Sequence, residues 1–213
     1  MPIFNFTGET FVAFTDISGF KELMKNDDSA LTALKIFYQS GYDSLAENVN
    51  VEGFFISDSG VLFSRMGTVE QKLNDLLTVI EDINRKMLFH NYMLTTSIAF
   101  GKFDYQGKIE FNGIEKNPIY GGAYVHAFLD NESGIPRLQP GQSRICIKNL
   151  PQIDFEGNDE LNNFKKLKKV SKKHYQHYWN VQNENDIQNF ERQYKDSYSL
   201  KYAGMLSALK NEY

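Results

Sequence analysis

Two aspartates stand at the ends of strand-like runs, Asp16 in TFVAFTDISGF and Asp58 in VEGFFISDSGVLF. If the two runs are neighbours in one sheet, the carboxylates converge into a site of hard oxygen donors suited to Mg²⁺ or Mn²⁺. Such a pair suits two-metal phosphoryl chemistry, in which paired ions activate an attacking hydroxyl and neutralise a triphosphate with its pyrophosphate leaving group. The residues after Asp16 add a second feature. Ile17, Ser18, Gly19 and Phe20 open a helix, and amides at a helix start beside a glycine can hold phosphate oxygens. Singly, each aspartate also suits an ordinary helix cap or turn. Together they carry more weight, because the chain between them holds the helices and the returning hairpin strand that can bring two strand tips together.

The elements that must position these residues follow from periodicity and turn chemistry. Thr10 to Ile17 is β-branched and aromatic and stops at Ser18-Gly19, which predicts the first strand. A short helix begins near Phe20. A second starts at Asp28, where Leu31, Leu34, Tyr38 and Leu45 keep helical spacing, with Asp28 or Ser29 as N-cap. Val51 to Ser57 and Val61 to Met66 read as a hairpin turning at Asp58-Ser59-Gly60, with Asp58 at its tip. Thr68 opens a helix whose apolar stripe runs from Leu73 to Met87, and Leu94 to Phe103 is a further strand. A hairpin through Tyr105-Gln106-Gly107 into Lys108 to Phe111 follows, then a helix over Ala123 to Asp130 and a strand over Arg144 to Lys148. Gly157 to Lys173 reads as a solvated, lysine-rich loop or short helix, His174 to Val181 as a late strand, and Glu184 to Lys210 as a helix. The order βααββαββαβ predicts an α+β sandwich on a mixed or antiparallel sheet. Residues 1–183 are expected to form the domain, with residues 184–213 a C-terminal helix packed on it.

A net charge of −4 gives no general attraction to nucleic acid or anionic membrane, so phosphate binding must be local. No run approaches the roughly 18 to 20 apolar residues of a membrane span, and MPIFNF lacks the regions of a signal peptide. A single cysteine, Cys146 in RICIK, favours a reducing compartment, and a cytoplasmic location is expected. His174 and His177 lie three apart in a strand and so point to opposite faces, which argues against a shared metal. No GxxxxGK[ST], HExxH, GxSxG or CxxC motif occurs, which removes the mechanical parts of P-loop, zinc-protease, serine-hydrolase and redox chemistry.

From about residue 9 to 148 the chain resembles the catalytic domain of class III nucleotide cyclases. FTDISGFKEL is similar to that family's first strand and Gly-Phe helix start, SDSGVLFS to its hairpin, TTSIAFG to its later strand, and IYGGAYVHA to its glycine-containing entry into a catalytic helix. The resemblance implies a cyclase-like sandwich with a ferredoxin-like βαββαβ core and a C-terminal strand and helix. It further implies that Asp16 and Asp58 bind two Mn²⁺ or Mg²⁺ ions, with the Ile17 carbonyl completing one shell. Ile17, Ser18, Gly19 and Phe20 would cradle a nucleoside triphosphate, in a homodimer with sites at the subunit interface. The implied reaction is attack of the ribose 3′-OH on the α-phosphate, giving a 3′,5′-cyclic nucleotide and pyrophosphate.

Departures from the family pattern narrow this. Phe54 replaces the lysine common in purine cyclases, and Pro118 replaces a polar base-reading residue, so the usual adenine hydrogen bonds are lost; Phe54 can instead stack on a base or simply pack. Val125 and Leu129 occupy the positions of a transition-state Asn and Arg, and Arg65 and Arg137 are the cations the sequence offers in compensation. These departures, with IYGGAYVHAFLDNESGIPR and SLKYAGMLSAL, resemble the divergent bacterial cyclases of the pyrimidine cyclase (Pycsar) anti-phage system. That likeness implies cyclic UMP or cyclic CMP as product and a separate effector activated by it. Two other readings stay open: a weak or inactive cyclase-fold protein that binds nucleotide or a partner as a sensor or scaffold, and a metal-dependent nucleotide hydrolase.

Overall fold

The computed structural model describes residues 4–106, 109–111, 114–155, 162–199 and 202–211. Strand β1 (Phe6–Ile17) leads through the four-residue α1 (Phe20–Leu23) into α2 (Asp27–Ala46). The hairpin β2 (Val51–Ile56) and β3 (Ser59–Ser64) is followed by α3 (Val69–Phe89) and β4 (Leu94–Tyr105). Three short strands, β5 (Ile109–Phe111), β6 (Ile114–Lys116) and β7 (Ile119–Tyr120), precede α4 (Gly122–Ser133) and β8 (Ser143–Cys146). The chain closes with β9 (Leu167–Lys169), β10 (His174–His177), α5 (Ile187–Ser199) and α6 (Tyr202–Asn211). Among the described residues no helix is long and apolar enough to cross a membrane.

The main sheet runs β2-β3-β1-β4-β8-β10-β9, with β7 beside β4. Its first four strands are antiparallel and form the βαββαβ core, while β8 joins β4 in parallel. A parallel neighbour needs a crossover, and α4 supplies it. Helices cover both faces of the central strands. Phe11, Ala13 and Ile17 of β1 pack with Leu73, Leu76 and Ile80 of α3 on one side. Val12 and Phe14 pack with Ala123 and Ala127 of α4 on the other. Burial on both faces explains why FVAF reads as a continuous apolar run instead of alternating. A third cluster joins Leu88 and Met93 to Trp179, Ile187, Phe190, Met205 and Leu209, and seats the C-terminal helices against the end of α3.

Helix starts follow local chemistry. Thr68 and Gln71 form a capping box at α3, whereas α2 starts one residue earlier than expected, because the Asn26 side chain accepts from the Ser29 amide at 2.9 Å. Gly121 (φ 126°) lies so close to β4 that a Cβ there would stand 2.3 Å from the Lys102 carbonyl oxygen, so only glycine lets α4 approach the sheet.

Several expectations are corrected. The β2–β3 turn is Ser57-Asp58, with Ser57 at φ 54°, and Ser59 and Gly60 already pair with Ile56 and Phe55. β5 pairs with β6, and the antiparallel partner of β4 at this end is β7; Gly107 and Lys108 of the expected hairpin lie outside the described residues. Within the lysine-rich stretch, Phe164 is buried in the core and Lys166 pairs with Glu81 at 2.7 Å, so of the two readings the short helix fits, as a packed 3-10 helix over Asn162–Lys166 followed by the edge strand β9; residues 156–161 lie outside the described residues. The last strand ends at His177, four residues earlier than read, since Tyr178 and Trp179 turn into the third cluster. The C-terminal segment is described as α5 and α6, which pack on one another; residues 200 and 201, inside the expected single helix, lie outside the described residues.

One buried network fixes α4 to the sheet. The Asp130 carboxylate accepts from Arg144 Nε (2.7 Å) and Nη2 (3.0 Å), from Ser97 Oγ (2.6 Å) and from His174 Nε2 (2.9 Å). Burial alone would raise its pKa, but these donors hold it well below the usual carboxylate range. Removing Asp130 would strand a guanidinium whose side chain is only 4% exposed. Asp130→Ala is therefore expected to lower unfolding free energy by about 3–5 kcal/mol, read from urea denaturation.

Candidate functional site

Alternation along β1 decides which way each site residue points. Val12 and Phe14 face α4, so Asp16 does too, while Ile17 turns its side chain into the opposite core. Asp16 sits opposite Ser59 on one neighbour and Thr95 on the other. The Ile17 amide donates to the Asp58 carbonyl at 3.0 Å, which pins the hairpin tip against the end of β1. The strand pairing and this bond thus set Asp16 beside the hairpin tip that carries Asp58, near enough for the Asp58 charge to act on the Asp16 carboxyl. Ser59 Oγ also donates to Asp16 Oδ1 at 3.0 Å.

The proximity has an electrostatic signature. The Asp16 pKa is raised from 3.8 to about 7, first by burial and then by the charge of Asp58, with Glu132 adding to the rise and the Ser59 hydroxyl opposing it. Two carboxyl groups this close either share a proton or share a cation. The donor set, two carboxylates at strand ends with no cation paired to them among the described residues, fits a hard divalent ion.

The expected phosphate cradle is narrower than the sequence suggested. The Ile17 and Ser18 amides are spent inside the sheet, on the carbonyls of Asp58 and Met93 (3.0 and 2.8 Å). Gly19 caps the short α1 at φ 76°, a left-handed conformation natural to glycine, and the amides of Gly19, Phe20 and Lys21 have no backbone acceptor among the described residues. Any cradle is therefore built from residues 19–21. The Phe20 side chain itself is core.

A cavity of about 440 Å³ opens beside Asp16. Thr95 lines it from β4, Ser18 and Gly19 from the turn after β1, Asn131 and Glu132 from α4, and the segment Arg137 to Pro140 closes one wall. The sequence offered Arg137 as a candidate cation but not Asn131, Glu132 or the rest of the segment that closes the wall. α4 was read as ending at Asp130, and the further run to Ser133 is what carries Asn131 and Glu132 to the cavity. Asn131 donates to the carbonyls of Phe14 (3.3 Å) and Thr95 (3.2 Å), so it fastens the helix end to both strands.

The remaining sequence candidates are placed as follows. Phe54 lies half-buried on β2, its ring 5.9 Å from that of Tyr105, on the same sheet face as Asp16. Pro118 precedes β7 and offers its carbonyl to the Gln106 amide. Val125 and Leu129 are 44% and 50% exposed on the outer side of α4. His174 and His177 point to opposite faces, to Asp130 and Ser143. Asp130, Cys146 and His174 place ligand atoms within 4.8 Å of one another, but Arg144, Ser97 and His174 already engage the carboxylate, and an adjacent guanidinium repels a cation.

No protein-family model and no curated protein matches the chain by sequence. Its fold is that of class III nucleotidyl cyclase catalytic domains. The guanylyl cyclase Cya2 matches with a TM-score of 0.59 at 12% identity, over 82% of this chain and 93% of its own. The adenylyl cyclase CyaB from P. aeruginosa matches at 0.58 and 14% identity, over 82% and 96% of the two chains. The guanylate cyclase domain of RhGC from Catenaria anguillulae, solved in complex with GTP, matches at 0.58 and 10%, over 82% and 98%.

Because the folded-state pKa of Asp16 lies above the unfolded one, its stabilising contribution is full below about pH 4 and is lost as pH rises to about 7. Asp16→Asn should thus melt near the wild-type temperature at pH 4 and above it at pH 8, by about 2–4 °C for each kcal/mol recovered, in metal-free thermal melts.

Proposed function

We propose that this protein is a metal-dependent nucleotide cyclase that converts UTP or CTP to the 3′,5′-cyclic monophosphate and pyrophosphate. The observation that carries the reading is the meeting of Asp16 and Asp58 at the end of the central strand pair of a cyclase fold, beside an open cavity. Asp16, Asp58 and the Ile17 carbonyl would hold two Mn²⁺ or Mg²⁺ ions, which supply activation of the attacking hydroxyl and neutralisation of the leaving pyrophosphate. The chain's own contribution is positioning. The Gly19 to Lys21 amides bind phosphate oxygens, and the Asp16 cavity keeps the ribose and α-phosphate in line for 3′-OH attack. Phe54 and Pro118 support the choice of pyrimidine, since neither side chain offers the polar partner that reads a purine.

The same reading includes a homodimer. Val125, Phe128 and Leu129 make the outer face of α4 apolar and 36–50% exposed, and a second subunit would cover it while closing the site. In the cell we place the protein in the cytoplasm, as the signal generator of an anti-phage system whose cyclic pyrimidine nucleotide activates a separate effector. A second reading, a nucleotide-binding sensor or scaffold without turnover, is favoured by Val125 and Leu129, which donate no hydrogen bond to a transition state.

Incubation with each of the four ribonucleoside triphosphates and Mn²⁺, followed by mass spectrometry, separates these readings. Cyclic UMP or cyclic CMP is expected, and Asp16→Ala or Asp58→Ala should lower its formation by at least about a thousandfold. Binding with no product from any nucleotide would favour the sensor, and linear products would identify a hydrolase. Leu129→Asp is expected to shift the protein from dimer to monomer in sedimentation velocity and to abolish product with it.

A further inference from the structure

The geometry points to Arg137 as a phosphate-binding cation of the Asp16 cavity, supplied by the same chain that supplies the aspartate. The inference rests on reading that cavity as a triphosphate site. Of the two arginines the sequence offers in place of the missing helix cation, Arg65 is fully engaged. Its Nη1 donates to Glu52 Oε2 (2.5 Å) and the Phe4 carbonyl (2.9 Å), its Nη2 to the Asn5 carbonyl (2.9 Å), and its guanidinium lies over the Phe6 ring. Arg137 differs on every count. It is exposed, it lines the cavity with Asp16 and Glu132, and its guanidinium forms no ion pair or hydrogen bond among the described residues. It is also the one cationic side chain among the described residues lining that cavity.

An unpaired guanidinium and unpaired carboxylates that share one cavity without pairing with each other suit a ligand of both signs, a polyphosphate carrying divalent cations. The planar fork of arginine matches two phosphate oxygens at once. A cation fixed there would meet the charge that grows on a leaving pyrophosphate, which Val125 and Leu129 cannot do.

The segment carrying Arg137 is braced. Its Pro136 carbonyl accepts from Arg144 Nη1 (2.6 Å), and its Gly141 amide donates to the Leu94 carbonyl (2.8 Å). The Gly141 carbonyl accepts from Trp179 Nε1 (2.7 Å), the Pro140 carbonyl from the Tyr194 hydroxyl and the Gln139 side chain from the Tyr198 hydroxyl. Both tyrosines belong to α5. The C-terminal helices thus act as a brace that presents Arg137 to the cavity.

Titration calorimetry with inorganic tripolyphosphate at saturating Mn²⁺ tests this without requiring turnover. Wild-type protein should bind, Arg137→Ala about tenfold more weakly, and Arg137→Lys in between, with melting temperatures unchanged because the side chain is exposed. Equal affinities for wild type and Arg137→Ala, or no binding by wild type, would overturn the proposal. Loss of tripolyphosphate binding in Arg137→Ala, in a protein that cyclises none of the four nucleotides, would uphold Arg137 and reject the cyclase reading.

Discussion

The Ile17 amide and the Asp58 carbonyl meet across 3.0 Å, and the geometry of the candidate site depends on that bond. It fixes the β2–β3 hairpin tip to the end of β1, in a register that sets Asp16 against Ser59. A shift of one residue would turn Asp16 into the α2–α3 core and Ile17 out to the cavity, since strand faces alternate. The bond also accounts for the electrostatics. Asp16 is held in a partly buried place beside Asp58, and burial first, with the Asp58 charge second, raises the Asp16 pKa. Stability is traded for a site whose charge a divalent cation would relieve.

Support for this site comes from elements with no chemistry of their own. The Asp130–Arg144–His174 network locks α4 to β8 and β10, and Arg144 reaches on to the Pro136 carbonyl. Asn131 then ties the end of α4 to the carbonyls flanking Asp16. From the other side, Trp179, Tyr194 and Tyr198 hold the segment that closes the cavity. The walls of the cavity are therefore set by these polar contacts and the third apolar cluster, while the sheet sets its floor.

The sequence displayed the core fold because periodicity and turn residues agree there. The stripe from Leu73 to Met87 could only be one face of a helix, and DISGF and SDSGV marked two strand ends. It displayed Asp16 and Asp58 for the same reason, since both lie at such ends. It hid what depends on long-range partners. Asn131 and Glu132 lay beyond an expected helix end, and nothing local announces that the segment after Pro136 folds back to Asp16. The amides of Ile17 and Ser18 looked available until the hairpin and Met93 were seen to use them. Phe164 is set among lysines, and the α3 residues whose core cluster it joins are remote in sequence, so nothing local marks it as buried.

The central claim is that Asp16 and Asp58 together hold divalent cations for a nucleotide. Anomalous diffraction from crystals soaked with Mn²⁺ and a non-cyclisable nucleoside triphosphate tests it most directly. A manganese peak in contact with both carboxylates, and absent in Asp16→Ala crystals, is the predicted result. Saturating Mn²⁺ with no peak there, or a peak held instead by Asp130, Cys146 and His174, would contradict it.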